Sequence, residues 1–349
     1  MTVVKATEPA LAPKATLPGV IDTLSAGYKL LNRHPYLLAL PVVLDLFYWL
    51  GPRLSVAPVA RQAAQALEQI AESPAVNVAG SQSAQYMDML RNMIENAGKD
   101  LNLFSVLSTP LSVPTLLVSQ DLNAPASLGG VAVISITTWT GLVGAFVLLF
   151  LVGVVFGAFY MGLAAQVVRD GQPQPLLLAQ RVGLYSTRFL LLLFILFVAS
   201  LVLGTPTAVV IGIATVLSPL LGTLLIVALW VGLLWLYLYL FFTVHALFVS
   251  EVGPLRAIAN SVTVVRLSTS SALGLFLGVL IISLGIPYVW SALGSSPLAV
   301  LAGIMGNAYI GTGLTVASMI FYRDRLEFFI ARLMEQQQRR SLDSDNTQE

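Results

Sequence analysis

Phe189–Val249 reads FLLLLFILFVASLVLGTPTAVVIGIATVLSPLLGTLLIVALWVGLLWLYLYLFFTVHALFV, 61 residues with no Asp, Glu, Lys or Arg. A helix crosses the ~30 Å hydrocarbon layer of a bilayer with about 20 mostly apolar residues, so the stretch holds two crossings and not three. Its natural division is LSPLLG, Leu217–Gly222, where Pro219 and Gly222 suit a tight turn. The fold class follows from this hairpin: an all-α, polytopic membrane protein.

Composition extends that reading to the whole chain. Of 349 residues, 57% are hydrophobic and 10% charged, against about 25% charged in soluble domains; mean hydropathy is +0.84. A formal net charge of +1 without a basic stripe argues against nucleic acid as a partner. With no Cys, there are no disulfides, thiolate nucleophiles or Cys metal sites to consider.

Four further spans complete a set of six transmembrane helices: Tyr36–Leu54, which contains Pro41 and Asp45, Val131–Gln166, Ala272–Leu293 and Leu298–Tyr322. The chain then divides into a flexible tail (1–17, with no apolar core of signal-peptide length), an elbow helix with the first span (18–54) and a helical insert (55–130). The remaining spans follow (131–322), with elbows near 173–188 and 253–270, and then a terminal segment (323–349). Of the 18 Lys and Arg, all but Arg53, Arg61, Arg91 and Lys99 fall before the first span, after the second, fourth or sixth. By the positive-inside bias both termini are expected to be cytoplasmic and residues 55–130 extracytoplasmic.

Within the insert, Ala60, Ala63, Ala64, Leu67 and Ile70 share one helical face, as do Tyr86, Leu90, Met93 and Ala97 after the loop SPAVNVAGSQS. Two amphipathic helices are expected there, followed by LSTPLSVPTLL, whose Pro110 and Pro114 forbid a continuous helix and point to an extended segment along the outer face. Three connections share a design: IDTLSAGYKLLNRHP, LLLAQRVGLYSTRF and LRAIANSVTVVRLS each run about four turns and end on an Arg (Arg33, Arg188, Arg266) ahead of a span. The simplest architecture is three units, each an interfacial elbow helix plus a transmembrane hairpin, with a chance re-entry into the interface as the competing account. After the sixth span, Phe329, Ile330 and Leu333 face away from Arg325, Arg332, Arg339 and Arg340, which fits either a helix lying on anionic lipid or a solvated extension of the span; SLDSDNTQE is expected to be disordered.

The layout, with LNRHPYLLALPVVLDLFYWLGPRL opening the bundle and an elbow of the form GPLRAIANSVTVVR between later spans, resembles bacterial six-span proteins of the YciC-like and DUF975 kind. It is also similar to the membrane domain attached to some glycerophosphodiester phosphodiesterases. The resemblance covers the six spans, implies a bacterial plasma (inner) membrane, and carries over no catalytic position. The outer helical insert departs from the compact version of the pattern.

An ionisable residue inside a span is a functional candidate by default. Asp45 in the first span is the foremost, with His245 in the fourth and Asn307 in the sixth as possible partners. The three form either a polar pathway for a proton or small solute, or a hydrogen-bonded cluster that fixes packing. GVVFG (Gly153, Gly157) and GLFLG (Gly274, Gly278) are candidate helix-packing sites, within the chain or between copies, and Gly303, Gly306, Gly311 and Gly313 line the sixth span. No nucleophile elbow, P-loop, zinc or deaminase motif is present. The expectation is a non-enzymatic accessory or scaffold protein without cofactor or metal. Its partners are the lipid bilayer and, in addition, other membrane proteins or a second copy. A permease-like component with a polar pathway around Asp45 is the alternative.

Overall fold

The computed structural model describes residues 17–71, 81–116 and 132–346. The expected tail up to Thr16 and most of the expected loop after Ala71 lie outside the described residues. The described chain is almost wholly helical. In order it forms α1 (Val20–Arg33), a 3-10 turn (Pro35–Leu38), α2 (Ala39–Leu50), β1 (Arg53–Ser55), α3 (Ala57–Ala71), α4 (Ser81–Asp100), a second 3-10 turn (Leu103–Leu107) and β2 (Val133–Ser135). There follow α5 (Trp139–Asp170), α6 (Pro175–Leu217), α7 (Pro219–Leu240), α8 (Thr243–Val249), α9 (Pro254–Leu267), α10 (Thr269–Ser291) and α11 (Pro297–Asn346).

Among the described residues, five helical segments are long and apolar enough to cross a membrane: α5, α6, α7 with α8, α10 and α11. The expected first span is shorter than its sequence promised. Pro35–Leu50 is apolar but below crossing length, because Gly51 turns to an extended conformation and Leu54 is already in β1. The second begins at Trp139 and not at Val131, since the β-branched run before it forms β2 and pairs in parallel with β1, Arg53 opposite Val133 and Ser55 opposite Ser135. The α6–α7 hairpin turns where expected: Ser218 caps α7 through the Leu221 N–H, and Pro219 takes the first helical position.

The elbows differ from one another. α1 and α9 are separate helices of 14 residues each. Both begin after an extended glycine and stop at a similar kink, His34 at φ −130°, ψ 59° and Ser268 at φ −136°, ψ 41°. The second elbow is fused to its span, α6 running unbroken for 43 residues. Arg33 is followed by Pro35, which blocks helix continuation, whereas Arg188 is followed by good helix formers.

Nor does α1 lie across the end of the bundle. It runs antiparallel along α11, from Pro18, whose carbonyl accepts from Arg325 (2.9 Å), to Asn32, which accepts from the Tyr309 hydroxyl (3.0 Å). Close approach explains the choice: a Cβ on Gly27 would come within 2.7 Å of Ala317, and one on Gly313 within 2.1 Å of Tyr28. α11 is a single helix of 50 residues, so the terminal segment extends the sixth apolar stretch, and Ser341–Asn346, expected to be disordered, is helical.

In the insert the two helices form as expected and pack on each other, but α4 uses another face. Gly98 lies so near Ala60 that a Cβ would approach to 2.2 Å, while Arg91 bonds to Glu68 and Glu95. Leu90, Met93 and Ala97 are left exposed.

The sharpest departure is the segment after α4. It does not lie along the outside; it inserts between α5 and α11. Leu107, Leu111, Val113 and Leu116 are all buried. Gly153 faces the Val106 and Leu107 carbonyls, Gly157 faces Leu111, Gly311 faces Pro114 and Gly303 faces Leu116. Gly157 is about 27 Å along α5 from Trp139 and Gly303 about 9 Å along α11 from Pro297, at 1.5 Å per residue. The segment therefore descends along α5, reverses near Ser112 (φ 49°) and climbs along α11.

Candidate functional site

Two polar nodes stand at different levels of this frame, each built around one acid. Asp45 sits on α2 with no exposed surface. Among its partners is the backbone N–H of Leu116, which donates to Oδ2 at 2.9 Å. Non-helical backbone buried among apolar helices must find acceptors for its N–H groups, since an unpaired one costs about 1–3 kcal/mol. Asp45 supplies one where the inserted segment climbs back. The descending side is anchored by Asn102, whose Oδ1 accepts from Leu54 and Phe104 N–H, tying α4, β1 and the second 3-10 turn together. Ser108 and Thr115 bridge the two limbs by their hydroxyls at 3.1 Å.

The second node surrounds Glu251, between α8 and α9. Arg169 Nη1 on α5 donates to its carboxylate at 2.6 Å, Arg181 Nη1 on α6 at 3.0 Å to both oxygens, and the Tyr185 hydroxyl at 2.8 Å. Arg188 donates to the Glu251 backbone carbonyl at 2.6 Å. Burial alone would raise the Glu251 carboxyl, but Tyr185, Arg169 and Arg181 outweigh it and hold it below the usual carboxylate range. Its backbone is left-handed, φ 51°, a conformation that costs a non-glycine residue roughly 1–2 kcal/mol and is kept only when its surroundings fix it. Close by, Tyr322 joins Ser250 (2.8 Å) and Asn260 (3.2 Å), and Arg323 donates to the Val168 carbonyl, so α5, α6, α9 and α11 are fastened to this one corner.

The described hydrogen bonds join none of Asp45, His245 and Asn307 to another. His245, on α8, donates from Nδ1 to the Phe241 carbonyl at 3.3 Å, its ring between Phe241 and Phe242. Asn307 is buried on α11, one turn beyond Ile304, which packs on Trp49. Gly153 and Gly157 are packing sites, but they receive the inserted segment and not a helix. A Cβ on Gly274 would meet Val20 at an ordinary 3.5 Å, and one on Gly278 would meet open space.

Reasoning from sequence assigns no role to Glu251, Asn102 or Ser261. Ser261 donates to the Tyr239 carbonyl (2.7 Å) and accepts from Phe242 N–H (3.1 Å), satisfying the groups freed where α7 gives way to α8. Among the described residues no cluster of His, Asp and Glu has the makings of a metal centre. Comparison with protein-family models, with curated proteins and with solved structures found no match.

Proposed function

We propose that this chain is a six-span protein of a bacterial plasma membrane, with both termini cytoplasmic and the α3–α4 pair outside, and that it acts without catalysis as an accessory or scaffold. The observation that carries the reading is the clamped outer pair. Its exit at Asn102 is bonded to β1, α3 is tied to the start of α5 by Gln62 to the Thr137 carbonyl (2.9 Å), and the inserted segment keys the whole into the bundle. A rigid mount that leaves Leu90 and Met93 exposed suits presentation to a partner.

The sixth crossing in this reading is the broken traverse Val20–Leu50. Its start lies by Arg325, its end leads into the ladder beside the beginning of α5, and Lys29 and Arg33 precede the apolar part. The excess of Arg at the Glu251 end supports a cytoplasmic position for that end.

Crosslinking in native membranes tests the role. A partner captured by the wild type is expected to be lost from Leu90→Ser/Met93→Ser while abundance holds; equal capture by both sinks it. Since the chain has no Cys, cysteines introduced at Ser81 and Ser341 report the orientation, and labelling of Ser81→Cys from the cytoplasmic side would reverse it. A permease-like role draws on the re-entrant segment and the buried acid, features that transporters use. It requires Asp45→Asn to abolish a solute or proton flux in vesicles.

A further inference from the structure

Arg325 is 5% exposed, yet two of its nitrogens, Nε and Nη1, are buried without any hydrogen-bond partner. Its other contacts are the Pro18 carbonyl, reached by Nη2 at 2.9 Å, and the face of Phe321, 3.5 Å from the guanidinium carbon. Neither contact supplies a negative charge. Two acids adjoin these contacts in sequence, and both have other donors: Asp324 accepts from Nη2 (2.8 Å) and Nε (3.1 Å) of Arg323, and Asp22 Oδ2 accepts from the Gly19 N–H (3.2 Å). A buried guanidinium so poorly compensated is an incomplete site, because a desolvated charge is tolerated only with a counter-charge and hydrogen bonds.

What lies beside it completes the chemistry. Pro18 immediately precedes Gly19, the N-cap of α1, a 14-residue helix whose glycine N-cap has no side chain to bond the first-turn N–H groups; Asp22 of that turn is bonded back to the Gly19 N–H. The free N–H groups of α1 and the positive end of its dipole favour an anion. Phe321 fixes the guanidinium plane, and a planar fork with fixed donors fits the oxygens of a phosphate group.

We propose that Arg325 and the first turn of α1 form a seat for a phosphate group, either that of an anionic lipid headgroup or a free phosphate. The purified full-length chain in neutral detergent is melted with inorganic phosphate against chloride at matched ionic strength, and with phosphatidylglycerol against phosphatidylcholine. Phosphate or phosphatidylglycerol is expected to raise the melting temperature by several degrees. In Arg325→Gln the half-saturating concentration rises at least tenfold, whereas Arg332→Gln, on the exposed part of α11, responds like the wild type. A response to both probes supports the seat with either source, and a response to phosphatidylglycerol alone supports it with the headgroup as source. No response in the wild type, or an equal one in Arg325→Gln, overturns it. Should Arg325→Gln fail to fold, Arg325→Lys decides: it keeps the charge but loses the fork, so a weaker response supports the seat and an undiminished one overturns it.

Discussion

Asp45 and Glu251 are both held by side chains or backbone from distant parts of the chain, and the kind of donor separates them. Asp45 is fully buried, and a donor to it is a backbone amide 71 residues away; it compensates for irregular backbone inside an apolar bundle. Glu251 is part exposed and gathers three side-chain donors from α5 and α6, fastening helix ends at the rim. The same functional group thus serves desolvated backbone at one site and charge balance at the other, and the environment decides how much each is worth.

The largest expected effect is at the first acid. Asp45→Ala removes a buried acceptor from the Leu116 amide and is expected to destabilise the protein by about 3 kcal/mol or more. Asp45→Asn, which keeps a carbonyl acceptor, is expected to cost about 1 kcal/mol. Denaturation in detergent ranks them, and equal losses would remove the acceptor role. Next comes the seat of the inserted segment. Gly157→Ala places a Cβ 2.5 Å from that of Leu111 and is expected to cost about 1–3 kcal/mol, whereas Gly278→Ala meets nothing and is expected to stay within about 0.5 kcal/mol.

Loss of the second acid is expected to cost less than loss of the first: Glu251→Gln about 1 kcal/mol at neutral pH, since water and salt screen part-exposed ion pairs. Its pH dependence is the more telling measurement. Because the folded carboxyl is held low, its stabilisation is present above the ordinary carboxylate value and lost as pH falls through the folded one. Wild type and Glu251→Gln melting temperatures are therefore expected to converge on acidification; a constant gap would show that the ion pairs contribute nothing.

The elements were legible wherever local signals decide them. Pro219 announced the α6–α7 turn, and the 14-residue elbows α1 and α9 stand between an N-terminal glycine and a closing arginine turn. Distant geometry hid the rest. Pro110 and Pro114 correctly ruled out a helix, but the depth of that segment depends on glycines of α5 and α11 that no local pattern connects to it. On α4 the larger apolar stripe through Leu90 and Met93 lost to a smaller one, because Gly98 permits closer approach to Ala60. Asp45 stands out in the sequence, although one partner the structure gives it, Leu116 N–H, is a backbone group with no sequence signature. Glu251 carries no local signature of its role; its left-handed backbone and three donors arise only when α5 and α6 are brought alongside.

The central position of α11 has a consequence for biosynthesis. Among the described helices it is made after all the others, yet α1 and the inserted segment both pack against it, and 277 residues separate Asn32 from Tyr309. At translation rates of about 5–20 residues per second, α1 waits roughly 15–55 s for its partner. During that interval its Gly27 face and the buried limb of the inserted segment have nothing to close on, so the nascent chain has a long window of vulnerability to quality-control proteases, and truncations before α11 should be degraded and not accumulate as partial bundles.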